Sequence, residues 1–266
     1  MIAAHSFQQS ELFNGALALM GRPPQRLAMP TGSVFALRRF GLSLATRPHD
    51  APETYAELAK KRIHIINAES VHPALRQNGY RQLIKPAHIA SLPLSPDPVI
   101  QRAAMKPKWR RSLARFEAER PKHITLTHRA FDPDRDAWLL EAEAAQARTR
   151  RFRCYPSALT CALSAASPKS LRLFSLNGPE APRAAMLFAL HGSRATYHIG
   201  YTSPDARKIG AHWLLMWKAF QELPAYRISE MELGLVDTES GANLARFKLG
   251  TGAVTRPLGG TWGRLF

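Results

Sequence analysis

The chain has 266 residues, of which 45% are hydrophobic, and a formal net charge of +17 at pH 7. This length allows one large domain or two small ones, and the charge favours phosphates, nucleic acids or anionic lipids as partners, unless it reflects only an arginine-rich composition. Two cysteines exclude a disulfide framework and a zinc cluster, and no apolar run approaches the ~20 residues that span a bilayer, so we expect a cytoplasmic protein without a metal.

The first hundred residues predict a succession of short elements separated by Pro, Asn and Gly. In chain order, these are a hairpin (34–45), a helix (53–61), a strand (62–67), a short helix ended by Asn78-Gly79 (71–79) and a strand (88–94). Four prolines between residues 93 and 107 then indicate a connection between domains. We therefore predict an N-terminal domain over residues 1–104 and a C-terminal domain over residues 105–266.

An amphipathic helix is predicted directly after this connection. Trp109, Leu113 and Phe116 fall at i, i+4 and i+7 and form one apolar stripe. Three arginines point away from the stripe: Arg110, Arg111 and Arg115. They form either a solvated face or a contact for a phosphate or nucleic acid.

The remaining sequence predicts helices and strands in an order that resembles the first half. The predicted elements are two helices (133–148 and 155–165), two strands (171–176 and 183–190), a hairpin into a further strand (195–201), a helix (210–220), a strand (231–235) and a short helix ended by Gly250. Basic residues at the end of the first of these helices are favoured by its dipole and need no ligand. The repeated order predicts two copies of one small α/β fold.

The loop before the 210–220 helix has a pattern suited to an anion. Arg207, Lys208, Gly210, Ala211 and His212 lie between a strand and a helix start, where exposed amides and the helix dipole favour phosphate. The loop resembles the pyrophosphate-binding Q/R-x-x-G-x-G/A loop of Gcn5-related N-acetyltransferases (GNAT). His212 stands where that pattern has Gly or Ala. We expect its side chain to crowd the phosphate and to disfavour coenzyme A.

Residues 105–262 resemble the FemAB-like branch of that superfamily more specifically. The resemblance rests on the basic helix 108–113, the hairpin with Tyr197-His198, the strand reaching Leu233-Gly234, and the segment 244–248 followed by Gly250. It implies tandem GNAT-like domains of the α+β class, each a mixed, mostly antiparallel, twisted sheet flanked by helices. It also implies a transferase that attaches an acyl or aminoacyl group to an amine.

The resemblance assigns Lys248 to the acyl carbonyl oxygen and places Phe247 beside the donor. A fixed cation stabilises the oxyanion that forms when an amine attacks a thioester or ester. The alternative is that Lys248 is a solvated residue at a helix end. Asp237 or Glu239 is a candidate to take the amine proton, unless these acids only cap the next helix.

Two tyrosines are further candidates. Tyr197 is placed to protonate a leaving thiolate or ribose hydroxyl, although strand alternation also explains it as core. Tyr155, after a cluster of arginines, is a candidate for lining an acceptor cleft.

These features predict an N-acyltransferase with acyl-CoA or aminoacyl-tRNA as co-substrate and no tightly bound cofactor. The basic charge and His212 favour the tRNA donor, whereas Arg207 and Gly210 keep acyl-CoA open. The alternative is a non-catalytic protein that binds RNA or another polyanion on a decayed transferase fold. The amine acceptor and the oligomeric state are not predicted.

Overall fold

A computed structural model describes residues 6–152, 154–179, 181–239 and 241–265. The chain divides into two compact units, one made of the residues up to Ile89 together with 255–266, and the other of Ala90–Val254. The predicted single boundary between residues 104 and 105 therefore differs from the observed boundaries, which follow Ile89 and Val254. It differs because residues 90–93 belong to a strand of the second unit's sheet, and because the last strand of the chain pairs within the first unit.

The first unit contains these elements in chain order: α1 (Glu11–Leu19), β1 (Gln25–Met29), β2 (Gly32–Arg39), β3 (Leu42–Thr46), α2 (Pro52–Lys60), β4 (Ile65–Ala68), α3 (Pro73–Gln77) and β5 (Arg81–Ile84). The chain then continues through β6 (His88–Pro93) into the second unit.

The second unit continues with α4 (Pro98–Ala104), α5 (Pro107–Glu119), β7 (Thr125–Ala130), α6 (Ala137–Arg150), α7 (Ser157–Ala166), β8 (Leu171–Asn177), β9 (Pro182–His191), β10 (Arg194–Thr202), α8 (Pro204–Lys208), α9 (Ala211–Glu222), β11 (Glu230–Val236) and α10 (Ala242–Gly250). Two strands follow: β12 (Val254–Pro257) and β13 (Gly260–Gly263). No described helix combines the length and apolar character that crossing a membrane requires.

The first unit is built on a six-stranded sheet in the order β1-β2-β3-β4-β13-β5. β13 runs antiparallel to both β4 and β5, and its Trp262 is 2% exposed within the core of this unit. Because β13 supplies an interior strand, the C-terminal segment completes the first unit's sheet. Proline and glycine punctuation in the sequence contains no signal for such a long-range pairing.

The second unit is built on a seven-stranded sheet in the order β12-β6-β11-β10-β9-β8-β7. The neighbours from β7 to β10 are antiparallel, and β10 and β11 are parallel. The predicted stripe on α5 is confirmed, because Trp109, Leu113 and Phe116 are all buried in one core cluster with α9. Both sheets are flanked by helices, as the sequence predicts.

The two units repeat one order of elements. β2, β3, α2, β4, α3 and β5 of the first unit correspond to β9, β10, α9, β11, α10 and β12 of the second. Each short helix leads into a glycine or ends on one, at Gly79 and Gly250. The prediction of two mixed α/β units of one fold is therefore confirmed.

Strands β10 and β11 part after a short paired region. Their parallel register covers only Arg194–Thr196 against Glu230–Glu232, whereas β10 runs on to Thr202 and β11 to Val236. A bulge follows Tyr197 on β10, and Gly234 on β11 has a φ of +77°. We call the space between residues 197–202 and 233–236 the opening.

Candidate functional site

Lys248 lies beside the opening and is buried. Its side chain is 6% exposed, and its Nζ donates a hydrogen bond to the Leu235 carbonyl oxygen at 2.8 Å. Burial lowers the pKa of this ammonium to about 8. The alternative of a solvated lysine at a helix end is therefore wrong. Since an ammonium has three donors, this hydrogen bond leaves two for a substrate.

Phe247, the neighbour of Lys248, holds α10 in an aromatic cluster. Its ring centroid lies 5.9 Å from that of Trp109 and 5.2 Å from that of Trp213. Gly250 packs on the same cluster, since a Cβ there would lie 2.3 Å from Trp109 Cδ1. Phe247 and Gly250 thus fix the helix on α5 and α9, while Lys248 reaches back to β11.

Gly210 starts α9 and is required by packing as well as by conformation. It has a φ of +67°, and a Cβ on it would lie 2.1 Å from the Phe116 ring. Trp213 and Leu214 donate to the Gly210 carbonyl, whereas the amides of Ala211 and His212 have no acceptor within the described part of the chain. These two N–H groups are the unsatisfied donors of a helix start.

Arg207 and Lys208 lie before this helix start and are exposed. Lys208 Nζ pairs with Asp205 at 3.1 Å on the surface of α8. Arg207 is within electrostatic range of His212, because its charge helps to lower the pKa of that imidazole. The Arg207 guanidinium thus acts on the side chain of a residue at this helix start.

The His212 ring is held on strand β10. Its Nε2 donates to the Tyr201 carbonyl oxygen at 3.2 Å, and its ring lies 6.0 Å from that of Phe247. Burial lowers the pKa of His212 to about 4, partly offset by the Tyr201 hydrogen bond and reinforced by Arg207 and Arg150. The imidazole is thus neutral and hydrogen-bonded to β10.

Tyr197 packs its ring along the opening. The ring lies 5.5 Å from that of Phe188, and a Cβ on Gly200 would come 1.6 Å from the Tyr197 hydroxyl oxygen. Gly200 therefore makes room for the phenol. Burial, together with the charge of Glu143, raises the pKa of Tyr197 well above its usual range. At neutral pH the hydroxyl is a proton donor.

Glu143 is a residue of the site that the sequence interpretation missed. It is half-buried on α6, and Gln146, three residues further on, donates from Nε2 to the Gly200 carbonyl oxygen at 3.2 Å. Burial raises the pKa of Glu143 to about 7, against the lowering effect of Arg150. In the sequence, Glu143 is one acid of an Ala- and Glu-rich helix, and only the tertiary contact between α6 and β10 distinguishes it.

Arg150, at the end of α6, is also within electrostatic range of His212 on α9. The sequence explains this arginine by the helix dipole alone. In the fold it joins Arg207 in giving the start of α9 a positive environment.

Asp237 and Glu239 lie exposed in the turn between β11 and α10. The Glu239 amide donates to Asp237 Oδ1 at 2.9 Å, which is the local bonding of a turn residue. This geometry agrees with the capping and turn alternative, and gives neither acid a buried environment.

Tyr155 is 39% exposed and stacks on His198, with ring centroids 5.6 Å apart. His198 Nε2 in turn lies 2.9 Å from the Thr160 hydroxyl on α7. The pair thus links α7 to the bulge of β10, on the strand that borders the opening.

The three arginines of α5 lie away from its buried stripe. Arg115 lies over the Phe116 ring at 4.6 Å and 3.8 Å from Glu119, and Arg110 donates to the Ala103 carbonyl at 3.4 Å. Arg111 is exposed. Their local contacts fit a solvated helix face, and they leave a surface that a polyanion reaches.

The fold is shared with several solved structures. FemX superimposes with a TM-score of 0.78 at 11% identity, over 99% of this chain and 93% of that one. L-PGS from Bacillus licheniformis superimposes with a TM-score of 0.55 at 13% identity, over 97% of this chain and 92% of that one. A tandem GNAT protein from the clavulanic acid biosynthesis pathway superimposes with a TM-score of 0.50 at 11% identity, over 87% of this chain and 78% of that one. No curated protein sequence matches the chain.

The sequence model of one protein family matches this chain. It describes an acetyltransferase (GNAT) domain and covers residues 104–248, more than half of the chain and all of the opening. The family resemblance predicted from the loop and from the Phe-Lys segment is thereby confirmed. The protein belongs to the GNAT acetyltransferase family, with a two-unit fold that it shares with FemX.

Proposed function

We propose that the protein is an N-acyltransferase that moves an acyl group from acyl-coenzyme A to a primary amine at the opening between β10 and β11. The observation that carries this proposal is the buried ammonium of Lys248, held 2.8 Å from the Leu235 carbonyl where the strands part. Burying a charge without an ion-pair partner is unfavourable for folding. Within the described residues Lys248 makes no ion pair, so its burial is best explained by the charge that it stabilises during a reaction.

The reaction follows from the groups around the opening. The amine nitrogen attacks the acyl carbonyl carbon, and negative charge develops on the carbonyl oxygen. The two free donors of Lys248 stabilise this oxyanion, an effect worth ~3 kcal/mol for one good donor. The C–S bond then breaks, and Tyr197, whose raised pKa keeps it protonated, donates to the leaving thiolate. Asp237 and Glu239 remain surface residues in this scheme.

The start of α9 supports coenzyme A as the leaving group. The Ala211 and His212 amides, with Arg207 and Arg150 nearby, present donors and positive charge to a pyrophosphate. A pyrophosphate at this position requires the His212 side chain, which bonds to the Tyr201 carbonyl, to leave these amides accessible. Phe247 places the next residue, Lys248, toward the acyl end of such a donor.

An aminoacyl-tRNA is the second candidate donor, and the net charge of +17 favours it. In that case Arg110, Arg111 and Arg115 on α5 contribute to holding the RNA backbone. The ester bond of the aminoacyl group replaces the thioester, and the same Lys248 stabilises the oxyanion.

The test is thermal unfolding of the protein with acetyl-CoA, a longer acyl-CoA and charged tRNA, followed by mass spectrometry of lysine incubated with each donor. We expect stabilisation and an N-acylated product with an acyl-CoA. A product with charged tRNA alone shifts the donor assignment to tRNA. The non-catalytic polyanion binder is supported instead if a ligand stabilises the protein but no product forms. In that case the stabilisation should depend on the α5 arginines and should be unaffected by Lys248→Ala.

A further inference from the structure

We propose that Glu143 on α6 is the base that accepts the proton from the attacking amine, a role that rests on the acyl-transfer function proposed above. The sequence points to Asp237 or Glu239 for this task. Both lie exposed in a turn, where the Glu239 amide donates to Asp237 Oδ1. Glu143 is half-buried and lies on a helix that is fastened to the opening itself.

The position of Glu143 is fixed by its neighbour on the helix. Gln146 donates to the Gly200 carbonyl oxygen at 3.2 Å, on the part of β10 that β11 no longer pairs with. Residues three apart lie on the same side of a helix. Gln146 Nε2 also lies 3.5 Å from Glu143 Oε2, so the carboxyl of Glu143 is joined through Gln146 to the stretch of β10 that carries Tyr197 and Gly200.

The charged groups around Glu143 suit a base. Tyr197 on β10 is close enough for the Glu143 charge to raise its pKa, and Arg150 on α6 is the cation that acts on Glu143. Burial outweighs this cation and raises the pKa of the carboxyl to about 7. A base of this strength is half ionised at neutral pH and takes up a proton readily.

The proposed step is balanced in protons and electrons. The carboxylate of Glu143 first takes one proton from the substrate ammonium and releases it to solvent, which frees the nitrogen lone pair. As the neutral amine then forms the N–C bond to the acyl carbon, the carboxylate takes a second proton from the nitrogen. The C–S bond breaks, the electron pair leaves with the thiolate, and Tyr197 donates its proton to the sulfur. Glu143 then returns its proton to the Tyr197 phenolate through solvent, which restores both groups.

The test is Glu143→Gln, assayed with acetyl-CoA and two amines over pH 5.5–9.5. Lysine is protonated at neutral pH, whereas hydroxylamine is largely unprotonated and depends less on a base. We expect kcat/KM for lysine to fall by about 10²- to 10⁴-fold and that for hydroxylamine to fall much less. The wild-type profile should decline below about pH 7 as Glu143 protonates, and above about pH 8 as Lys248 deprotonates; Glu143→Gln should lose the acidic limb.

Glu141→Gln is the matched control, because Glu141 is an exposed glutamate two residues earlier on the opposite side of α6. The Glu141→Gln variant should retain the wild-type kcat/KM for both amines and both limbs of the pH profile. Thermal unfolding shows whether the Glu143→Gln variant is folded. If the wild type is active and the folded variant keeps the lysine rate and the acidic limb, the role of Glu143 is overturned, but the acyltransferase function is not. A wild type that acylates neither amine overturns the acyltransferase and the role of Glu143 with it.

Discussion

The two units repeat one fold, but their parallel strand pairs end differently. In the first unit, β3 and β4 pair through Thr46 and Asn67, and β3 ends there. In the second unit, β10 and β11 stop pairing at Thr196 and Glu232, and both strands continue. Within the described residues, the second unit alone therefore has a parallel strand pair in which both strands run on beyond the pairing, and a substrate can lie between these ends.

The first unit closes this position with an ion pair. Arg47 follows β3, is 7% exposed, and its amide donates to the Asn67 carbonyl at 2.7 Å. Its guanidinium contacts Glu69 at 2.5 Å, and Arg256 contacts the same carboxylate. A paired guanidinium thus fills the end of the strand pair that corresponds to the opening.

The helices that follow also differ. α2 starts with Pro52, which has no N–H to offer, whereas α9 starts with Gly210 and Ala211, and the amides of Ala211 and His212 lack acceptors in the described chain. α10 contributes Lys248, while α3 contains no lysine. The two units therefore differ in a few side chains and in the length of the strands that run past their parallel pairing.

The largest expected effect is that of Lys248→Met, which removes the cation but keeps most of the side chain's volume. Loss of one oxyanion donor lowers kcat by about 10²- to 10³-fold, with a smaller change in KM. Steady-state kinetics with acetyl-CoA measures this. Lys60→Met, at an exposed position of α2, is the control and should leave kcat unchanged. If Lys248→Met and Lys60→Met have equal kcat values, Lys248 does not take part in the mechanism.

Gly210→Ala should lower the free energy of unfolding by ~3 kcal/mol, since it combines a left-handed conformation (~1–2 kcal/mol) with overpacking (~1–3 kcal/mol). The overpacking arises at the Phe116 ring, 2.1 Å from the added Cβ. Gly192→Ala is the control, with a φ of +60° and open space around it. Urea denaturation of both variants separates the two contributions. If both variants lose the same free energy of unfolding, the Phe116 ring moves to accommodate the added Cβ, and packing does not determine the start of α9.

Arg47→Met should have the smallest effect, a loss of ~2 kcal/mol in the free energy of unfolding. The loss is moderate because Glu69 keeps Arg256 as a partner. Urea denaturation measures it, and kcat per folded molecule should not change. A fall in kcat at full folding would show that the closed end of the first unit contributes to the chemistry.

Local patterns were sufficient to predict the repeated order of elements, the buried stripe of α5 and the family. Each depends on neighbouring residues, so periodicity and short motifs reveal it. The return of β13 to the first unit and the role of Glu143 depend on contacts between distant parts of the chain. A strand such as 260–263 and an acid such as Glu143 carry no local sign of their partners.

Burial was the other property that the sequence left open. The Phe-Lys pattern suggests a function for Lys248, but a lysine at a helix end is usually solvated. Its 6% exposure follows from the way Phe247 and Gly250 fix α10 on the aromatic cluster. Similarly, only the fold shows that the His212 imidazole bonds to the Tyr201 carbonyl.

The central claim is that the acyl donor binds in the opening of the second unit and not at the closed end of the first. Hydrogen–deuterium exchange with and without acetyl-CoA tests it most directly. We predict slower exchange of the amides in residues 197–202 and 211–213, and unchanged exchange in residues 43–54. Slower exchange confined to residues 43–54, or no change in either segment, would contradict the claim.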